Sequence, residues 1–272
     1  ARDPGFGQLS HLPHHEMLPV ANERGNHPDD PNKRDPLDFV LWQAQAPGEP
    51  AWDSPWGPGR PGWHIECSTM ATRFLGETVD VHGGGLDLCF PHHECEIAQV
   101  RPVLGEAPYV RYWMHTAMVG YQGEKMSKSL GNLVMVSDLL KTCSPDALRL
   151  YLGSHHYREA WSFEEKDLQP YQALADNLKQ AASSVQGGQG NVLDPAGYVR
   201  QFTESMEDDL GTPGAVRALA GLADEILAAA PGRRDVRAAQ EALRQCGQVF
   251  GLTFASGKPE DRVVGGWNAQ RR

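Results

Sequence analysis

The sequence has few features of a membrane protein or of a protein held together by disulfides. No apolar run approaches the roughly 18 residues of a membrane-spanning helix, and no charged, then apolar leader opens the chain. The five cysteines are an odd number, widely spaced in a chain of 272 residues that is long enough to bury its own core. We therefore expect a soluble, cytoplasmic protein with no membrane partner and with reduced thiols, one of which is available as a metal ligand.

Basic charge is also scarce, because 25 lysines and arginines stand against 35 acidic residues and the formal net charge is -10. Any contact with nucleic acid must therefore depend on local basic patches. Histidine, by contrast, is abundant, with eleven residues in the chain. It is the commonest metal ligand and proton carrier, and five histidines lie among the motifs described below: His64, His82, His92, His93 and His115.

The first half of the chain has the pattern of an α/β protein. Residues 1–36 are rich in Pro, His, Asn and Asp and show no sustained hydrophobic period, which predicts a long irregular N-terminal segment. Alternation of apolar and polar residues over positions 63–67 predicts a strand, and a helix-like stretch follows to residue 74. Residues 79–82 predict a second strand, which ends in a glycine turn. Residues 94–100 are helical in character, and strand–helix–strand–helix alternation is typical of a parallel sheet.

The second half of the chain is predicted to be mainly α-helical. Ser144 followed by Pro145 is a typical helix start, because serine caps the first turn and proline has no N–H to leave unpaired. Apolar spacing predicts further helices over residues 172–185, 199–208, 213–230 and 235–250.

A lysine-bearing run from Glu124 to Asn132 suits the binding of polyphosphate. Lys125 and Lys128 lie three residues apart among small polar residues. Two ammonium groups on a loop can stabilise the charge that moves to a leaving pyrophosphate. The alternative is a solvated basic turn.

A metal site is predicted from Cys67, His92 and Glu96. Residues four apart share one face of a helix, and a cysteine at the end of a neighbouring strand would complete a three-point cup. Three ligands leave the fourth tetrahedral position open, as in a zinc site that binds an exchangeable group. Residues 93–95 are competing ligands that point elsewhere if His92 faces the metal, and the alternative is an ordinary buried thiol beside a surface His/Glu pair.

The residues around the first predicted strands are candidates for substrate contacts. Glycines 83–85 would let a nucleotide lie against the backbone, and Asp87 could accept hydrogen bonds from ribose, although a structural turn explains the same pattern. Trp63 and His64 lie on opposite faces of the predicted strand. A core role is the alternative for Trp63, and likewise for His115.

Together these strings resemble the cysteinyl-tRNA synthetase family of class I aminoacyl-tRNA synthetases. The matching strings occupy residues 59–68, 80–88, 90–94, 96–99, 112–115 and 124–132. The resemblance implies a partial Rossmann-type catalytic domain, with an irregular N-terminal insertion, over residues 1–110. It further implies a connecting region with the phosphate loop over 111–165 and a truncated α-helical domain of the tRNA-binding type over 166–272.

The resemblance also implies the roles of individual residues. One zinc ion per chain would be held by Cys67, His92 and Glu96, and it would bind the thiolate of substrate cysteine, a group that zinc prefers to a hydroxyl. The remaining roles are catalysis by His64, Lys125 and Lys128, an amino-acid pocket with Trp63 and His82, and ATP binding by Gly84, Asp87 and Lys128.

The implied reaction is that of a monomeric cysteine–tRNA ligase, with L-cysteine, Mg-ATP and tRNA(Cys) as its substrates. Cysteinyl-adenylate forms first, and the cysteinyl group then passes to a terminal ribose hydroxyl of the tRNA. Two other readings share the site strings: the ligase of mycothiol biosynthesis that joins cysteine to an amino sugar, and a non-catalytic synthetase paralogue.

Two departures from the family pattern stand out. Cys95 replaces the asparagine of a His-His-Glu-Asn-Glu string, and the 272 residues contain no His-Ile-Gly-His string. That string and an upstream cysteine would supply ATP contacts and a fourth zinc ligand. We therefore expect the 272 residues alone to show little pyrophosphate exchange, and an added N-terminal piece with that string to restore it.

Overall fold

The computed structural model describes residues 3, 5–105, 108–126, 131–184, 190–231 and 234–254, without the side chain of Lys125. The chain forms two compact units, Ala1–Met118 and Val119–Arg272. No helix within the described ranges is long and apolar enough to cross a membrane. The predicted boundaries at residues 110 and 165 remain predictions.

The first unit contains two small sheets and the helices that carry the candidate site. Strands β1 and β2 pair antiparallel, and β3 and β4 pair parallel with His82 opposite Trp113. An irregular turn, Cys89–His93, joins α3 to α4. The element bounds are α1 His14–Glu23, β1 Trp42–Ala44, β2 Gly59–Pro61, α2 Trp63–Leu75, β3 Val79–Gly85, α3 Leu86–Leu88, α4 Glu94–Leu104 and β4 Val110–Thr116.

Two predictions about backbone in this unit are wrong. The N-terminal segment that was predicted to be irregular contains helix α1, which buries Met17 and Ala21. Residues 63–67 form the first turn of α2 instead of a strand. Five residues are too few to separate a period of 2.0 from the start of a helix, so packing decides. Here buried Ser68 of α2 donates from Oγ to Oε1 of Gln99 on α4 at 2.7 Å.

The glycines at residues 83–85 belong to strand β3 and do not form the predicted turn after it. The register with β4 continues through them, with Gly84 opposite His115. A Cβ atom on Gly84 would lie 2.9 Å from Leu88 Cδ1 and 3.1 Å from His93 Cε1. Glycine at this position therefore lets the turn before α4 approach the strand closely.

The second unit is mainly helical, and its predicted helices are confirmed with shifts at their ends. The Ser144 hydroxyl accepts a hydrogen bond from the Ala147 N–H at 3.1 Å, as a helix cap does. This unit also has a three-stranded sheet. Its middle strand, β5 (Val119–Tyr121), pairs antiparallel with β6 (Glu124–Lys125) and parallel with β7 (Trp161–Phe163). The bounds are β5 Val119–Tyr121, β6 Glu124–Lys125, α5 Val136–Leu139, α6 Pro145–Gly153, β7 Trp161–Phe163, α7 Leu168–Ser183, α8 Ala196–Glu207, α9 Thr212–Ala229 and α10 Arg237–Val249.

Helix α6 offers a matched test of this core, because Leu150 is 0% exposed and Leu152 is 50% exposed. Leu150→Ala should lower the free energy of unfolding by about 2–5 kcal/mol, since it leaves a cavity among buried side chains. Leu152→Ala should change it by no more than about 0.5 kcal/mol. Urea unfolding of both variants measures the difference, and equal losses would contradict the packing of this helix.

Candidate metal centre and active site

The three predicted metal ligands come together in the first unit. Cys67 lies in α2, His92 in the turn before α4, and Glu96 in the first turn of α4. One potential ligand atom from each lies within 4.8 Å of the others. The predicted grouping is present, but the cysteine comes from a helix rather than from the end of a strand.

Glu96 is fully buried, and its two oxygens have different surroundings. Oε2 accepts a hydrogen bond from the Tyr109 hydroxyl at 3.0 Å. Oε1 lies 2.9 Å from His92 Nε2 but accepts no hydrogen bond. A buried carboxylate oxygen without a donor is costly unless a cation compensates it. The orientation of Glu96 is therefore that of a metal ligand supported by Tyr109.

His64 supports His92 from the side opposite Glu96. The two Nδ1 atoms are 2.7 Å apart, so one must donate and the other accept. Burial, with a smaller contribution from His92, lowers the pKa of His64 to about 4. A neutral His64 can accept the Nδ1 proton of His92, which leaves His92 Nε2 unprotonated for a metal.

The thiol of Cys67 completes the donor set. Burial, and then the charges of Glu96 and Glu66, raise the pKa of Cys67. The thiol is therefore held protonated by its surroundings until a cation is present, and a bound metal reverses that preference. Sulfur, imidazole nitrogen and carboxylate oxygen are a donor set that fits zinc.

A second group of potential ligands consists of His82, His93 and Glu96. His93 lies outside the first group and reaches Glu96 only in this second one. Its Nδ1 lies 2.8 Å from His115 Nε2, and burial, aided by neighbouring histidines, lowers its pKa to about 3. This second group has no thiol, and its His82 Nε2 lies 3.6 Å from the Glu96 oxygen that Tyr109 already occupies. The first group fits a metal better.

Trp63 forms a flat, exposed surface beside the metal ligands. Its ring stacks on His92 with centroids 4.3 Å apart and an interplanar angle of 27°. The side chain is 54% exposed, so the alternative of a core tryptophan is wrong. An exposed ring directly against a ligand histidine is well placed to contact a small substrate.

The structure describes some of the residues predicted to contact the nucleotide. Gly84 lies in β3 and Asp87 in α3, and the Asp87 carbonyl accepts a hydrogen bond from Arg24 at 2.5 Å. Lys125 lies in β6, and Lys128 lies outside the described residues.

Sequence reasoning missed Tyr109 as a support of the site. Tyr109 is 13 residues beyond Glu96 and is brought back by the parallel pairing of β3 with β4. No local spacing marks such a contact. The β-branched and aromatic residues that follow Tyr109, which are typical of a strand, were the available signal.

The depressed histidine pKa values predict acid sensitivity of the metal-free protein. His64 and His93 stay neutral in the folded state at pH values where the unfolded state binds protons near the ordinary 6.5. The free energy of unfolding should therefore fall as pH drops from about 6.5 towards 4, with a slope near pH 5 that includes about one proton from each histidine. Urea unfolding at several pH values measures that slope. His64→Gln should reduce it by about one proton, and an unchanged slope would contradict the assignment.

Comparison with known proteins identifies the family of the chain. Residues 1–173 match the model of the tRNA synthetases class I (C) catalytic domain, and residues 201–255 match the DALR domain. The chain belongs to the class I tRNA synthetase catalytic-domain family, with a DALR domain behind the catalytic part.

Curated relatives carry two names. The chain is 47% identical over 225 residues to a cysteine–tRNA ligase of Alkalilimnicola ehrlichii, with 82% of this chain and 48% of the relative covered. It is 43% identical over 248 residues to the L-cysteine:1D-myo-inositol 2-amino-2-deoxy-alpha-D-glucopyranoside ligase of Thermomonospora curvata, with 89% and 58% covered. The chain thus spans about half the length of the curated relatives it matches.

A solved structure shows the same fold at low identity. The ternary LeuRS–tRNA–LeuAMS complex of Agrobacterium radiobacter K84 matches with a TM-score of 0.51 and 16% identity. The match covers 75% of this chain and 33% of that chain. The α/β catalytic fold followed by helices, predicted from the sequence, is thereby confirmed.

Proposed function

We propose that this chain carries the cysteine-recognising and ATP-using part of a cysteine–tRNA ligase. The observation that supports this most strongly is the group of half-buried Cys67 with buried His92 and Glu96, in which one carboxylate oxygen has no hydrogen-bond donor. A synthetase fold with a soft-donor metal group suits an amino acid whose side chain is itself a soft ligand.

Cys67, His92 and Glu96 would hold a zinc ion, with His92 using Nε2 and Glu96 using Oε1. Bound there, zinc supplies a position for the substrate thiolate and lowers the pKa of that thiol, which separates cysteine from serine. His64 keeps His92 in the tautomer that the metal needs, and Tyr109 keeps Glu96 turned towards it.

The other residues act on the substrates directly. Trp63 offers its exposed face to the amino acid, and His82, whose Nε2 lies 3.6 Å from Glu96 Oε2, contacts the amino acid beside the metal group. Gly84 and Asp87 contact the adenosine of Mg-ATP, and Lys125 and Lys128 meet the phosphates as pyrophosphate departs. The cysteine carboxylate attacks the α-phosphorus, pyrophosphate leaves, and the cysteinyl group then passes to the terminal ribose of tRNA(Cys). We expect the protein to work in the cytoplasm as a monomer.

Joining of cysteine to an amino sugar is the second candidate function. Relatives with that printed activity match at 43% and 46% identity, as high as several cysteine–tRNA ligases. Both activities use the same cysteine and ATP chemistry, so the described site does not separate them. The acceptor decides.

A chimera tests the proposal. The part of the Alkalilimnicola ehrlichii cysteine–tRNA ligase that lies ahead of the matched region is joined to this chain. We expect pyrophosphate exchange that depends on L-cysteine, followed by transfer of radiolabelled cysteine to tRNA(Cys). Transfer to glucosaminyl-inositol with none to tRNA would favour the second candidate. Exchange with serine as fast as with cysteine would contradict both.

A further inference from the structure

Glu94 is a buried carboxylate within the stretch that bears the metal ligands, yet the metal group does not include it. Its side chain is 1% exposed. Oε1 accepts hydrogen bonds from the N–H groups of Leu9 and Ser10, both at 2.7 Å, and Oε2 accepts one from Gly7 at 3.0 Å. Backbone N–H groups of a distant loop thus satisfy a buried charge, and such charge-assisted bonds are among the stronger ones.

The position of Glu94 on α4 relates it to the metal ligand Glu96. Residues two apart on a helix point about 200° apart, because each residue turns the helix by about 100°. Glu94 therefore projects from the side of the first turn of α4 opposite to Glu96. The hydrogen bonds of Glu94 fix the rotation of this turn about the helix axis, and so fix the direction in which Glu96 points.

The same N-terminal segment grips the ligand-bearing stretch at two further points. The Asp3 carboxylate pairs with Arg101 near the end of α4, with both oxygens 3.0 Å from Nη1. Arg24 donates from Nη1 to the carbonyls of Asp87 and Phe90, just ahead of His92. Asp3 and residues 5–24 therefore brace the turn and helix that carry His92 and Glu96.

We propose that Glu94 is a positioning residue for the metal centre: it holds the loop of residues 7–10 against the first turn of α4 and so sets how His92 and Glu96 face the metal. The inference rests on the zinc centre of the proposed function. Glutamine has the same shape as glutamate but replaces one oxygen by an NH2 group. Both oxygens of Glu94 accept hydrogen bonds from the loop. In either orientation of the glutamine amide, its NH2 group therefore faces at least one backbone N–H, and two donors cannot form a hydrogen bond.

The test measures zinc affinity of the 272-residue chain by competition with a chromogenic chelator. Glu94→Gln should bind zinc about tenfold more weakly, at the lower end of the loss seen when a direct hydrogen-bond partner of a metal ligand is removed, because Glu94 acts through the backbone of the turn and not on a ligand itself. Asp3→Asn is the matched control, since it loosens the same segment through a half-buried ion pair with Arg101 near the other end of α4. It should keep zinc affinity within about twofold of wild type, because the metal ligands lie at the start of that helix and Arg101 near its end.

One further readout and one further variant separate a positioning role of Glu94 from a general effect on stability. The absorption spectrum of the cobalt-substituted protein should shift in Glu94→Gln and stay unchanged in Asp3→Asn. If Glu94→Gln does not fold, Glu94→Asp keeps the charge with a shorter reach and should show an intermediate loss of affinity.

Wild-type affinity in a folded Glu94→Gln or Glu94→Asp variant would overturn the inference and leave the proposed function intact, as would an equal loss of affinity in Asp3→Asn. Absence of zinc binding by the wild-type chain would instead contradict the metal centre itself.

Discussion

Replacing Cys67 by serine should weaken zinc binding by more than about a hundredfold. Loss of an outer partner alone costs about 10–100-fold in affinity, and loss of a ligand should exceed that. Burial, and then the charges of Glu96 and Glu66, raise the pKa of the Cys67 thiol, so zinc must displace a proton to bind there and both proteins are compared at one pH. Serine cannot supply a thiolate, and its hydroxyl is a poor zinc ligand at neutral pH.

Cys89 provides the matched control for this measurement. It is a free, partly buried cysteine close in sequence to His92, but it lies outside both groups of potential ligands among the described residues. Cys89→Ser should retain full zinc occupancy by atomic absorption after dialysis. Full occupancy in Cys67→Ser, or equal loss in both variants, would remove Cys67 from the centre.

Replacing Lys128 by alanine should lower the rate of adenylate formation on the order of a hundredfold or more, as when one preorganised donor to a developing charge is lost. The effect should appear mainly in kcat, because the role proposed for the ammonium group is to meet charge that grows in the transition state. Pyrophosphate exchange in the chimera described above measures it.

Lys141→Ala is the control for charge alone. Lys141 is exposed and paired with Asp138 at 2.6 Å, outside the lysine-bearing run. Its removal should leave the exchange rate nearly unchanged. A Lys128→Ala effect confined to the Michaelis constant for ATP would assign this lysine to ground-state binding only.

The sequence predicted some parts of this molecule well because their signals are local. The cap and proline at Ser144–Pro145 mark the start of α6 correctly, and the helices that follow have long apolar periods. The stretch at residues 63–67 was assigned to a strand, but it is the first turn of α2. Short apolar runs lack the length that separates the two periods.

The site shows the same division between local and distant contacts. His92 and Glu96 were predicted from a four-residue spacing, although His92 lies in a turn before the helix rather than within it. Tyr109 and His115 reach the site only through the pairing of β3 with β4, and Glu94 is satisfied by a loop more than 80 residues away. Contacts that form only through tertiary structure produce no regular residue spacing from which the sequence could predict them.

The central claim is that a metal held by Cys67, His92 and Glu96 distinguishes cysteine from serine. Cobalt bound in place of zinc reports directly on that site through its visible absorption. L-cysteine added to the cobalt-substituted chain should change the spectrum, with a new sulfur-to-cobalt charge-transfer band, while L-serine at the same concentration should not. Equal spectral changes with both amino acids, or no change with cysteine, would contradict the account.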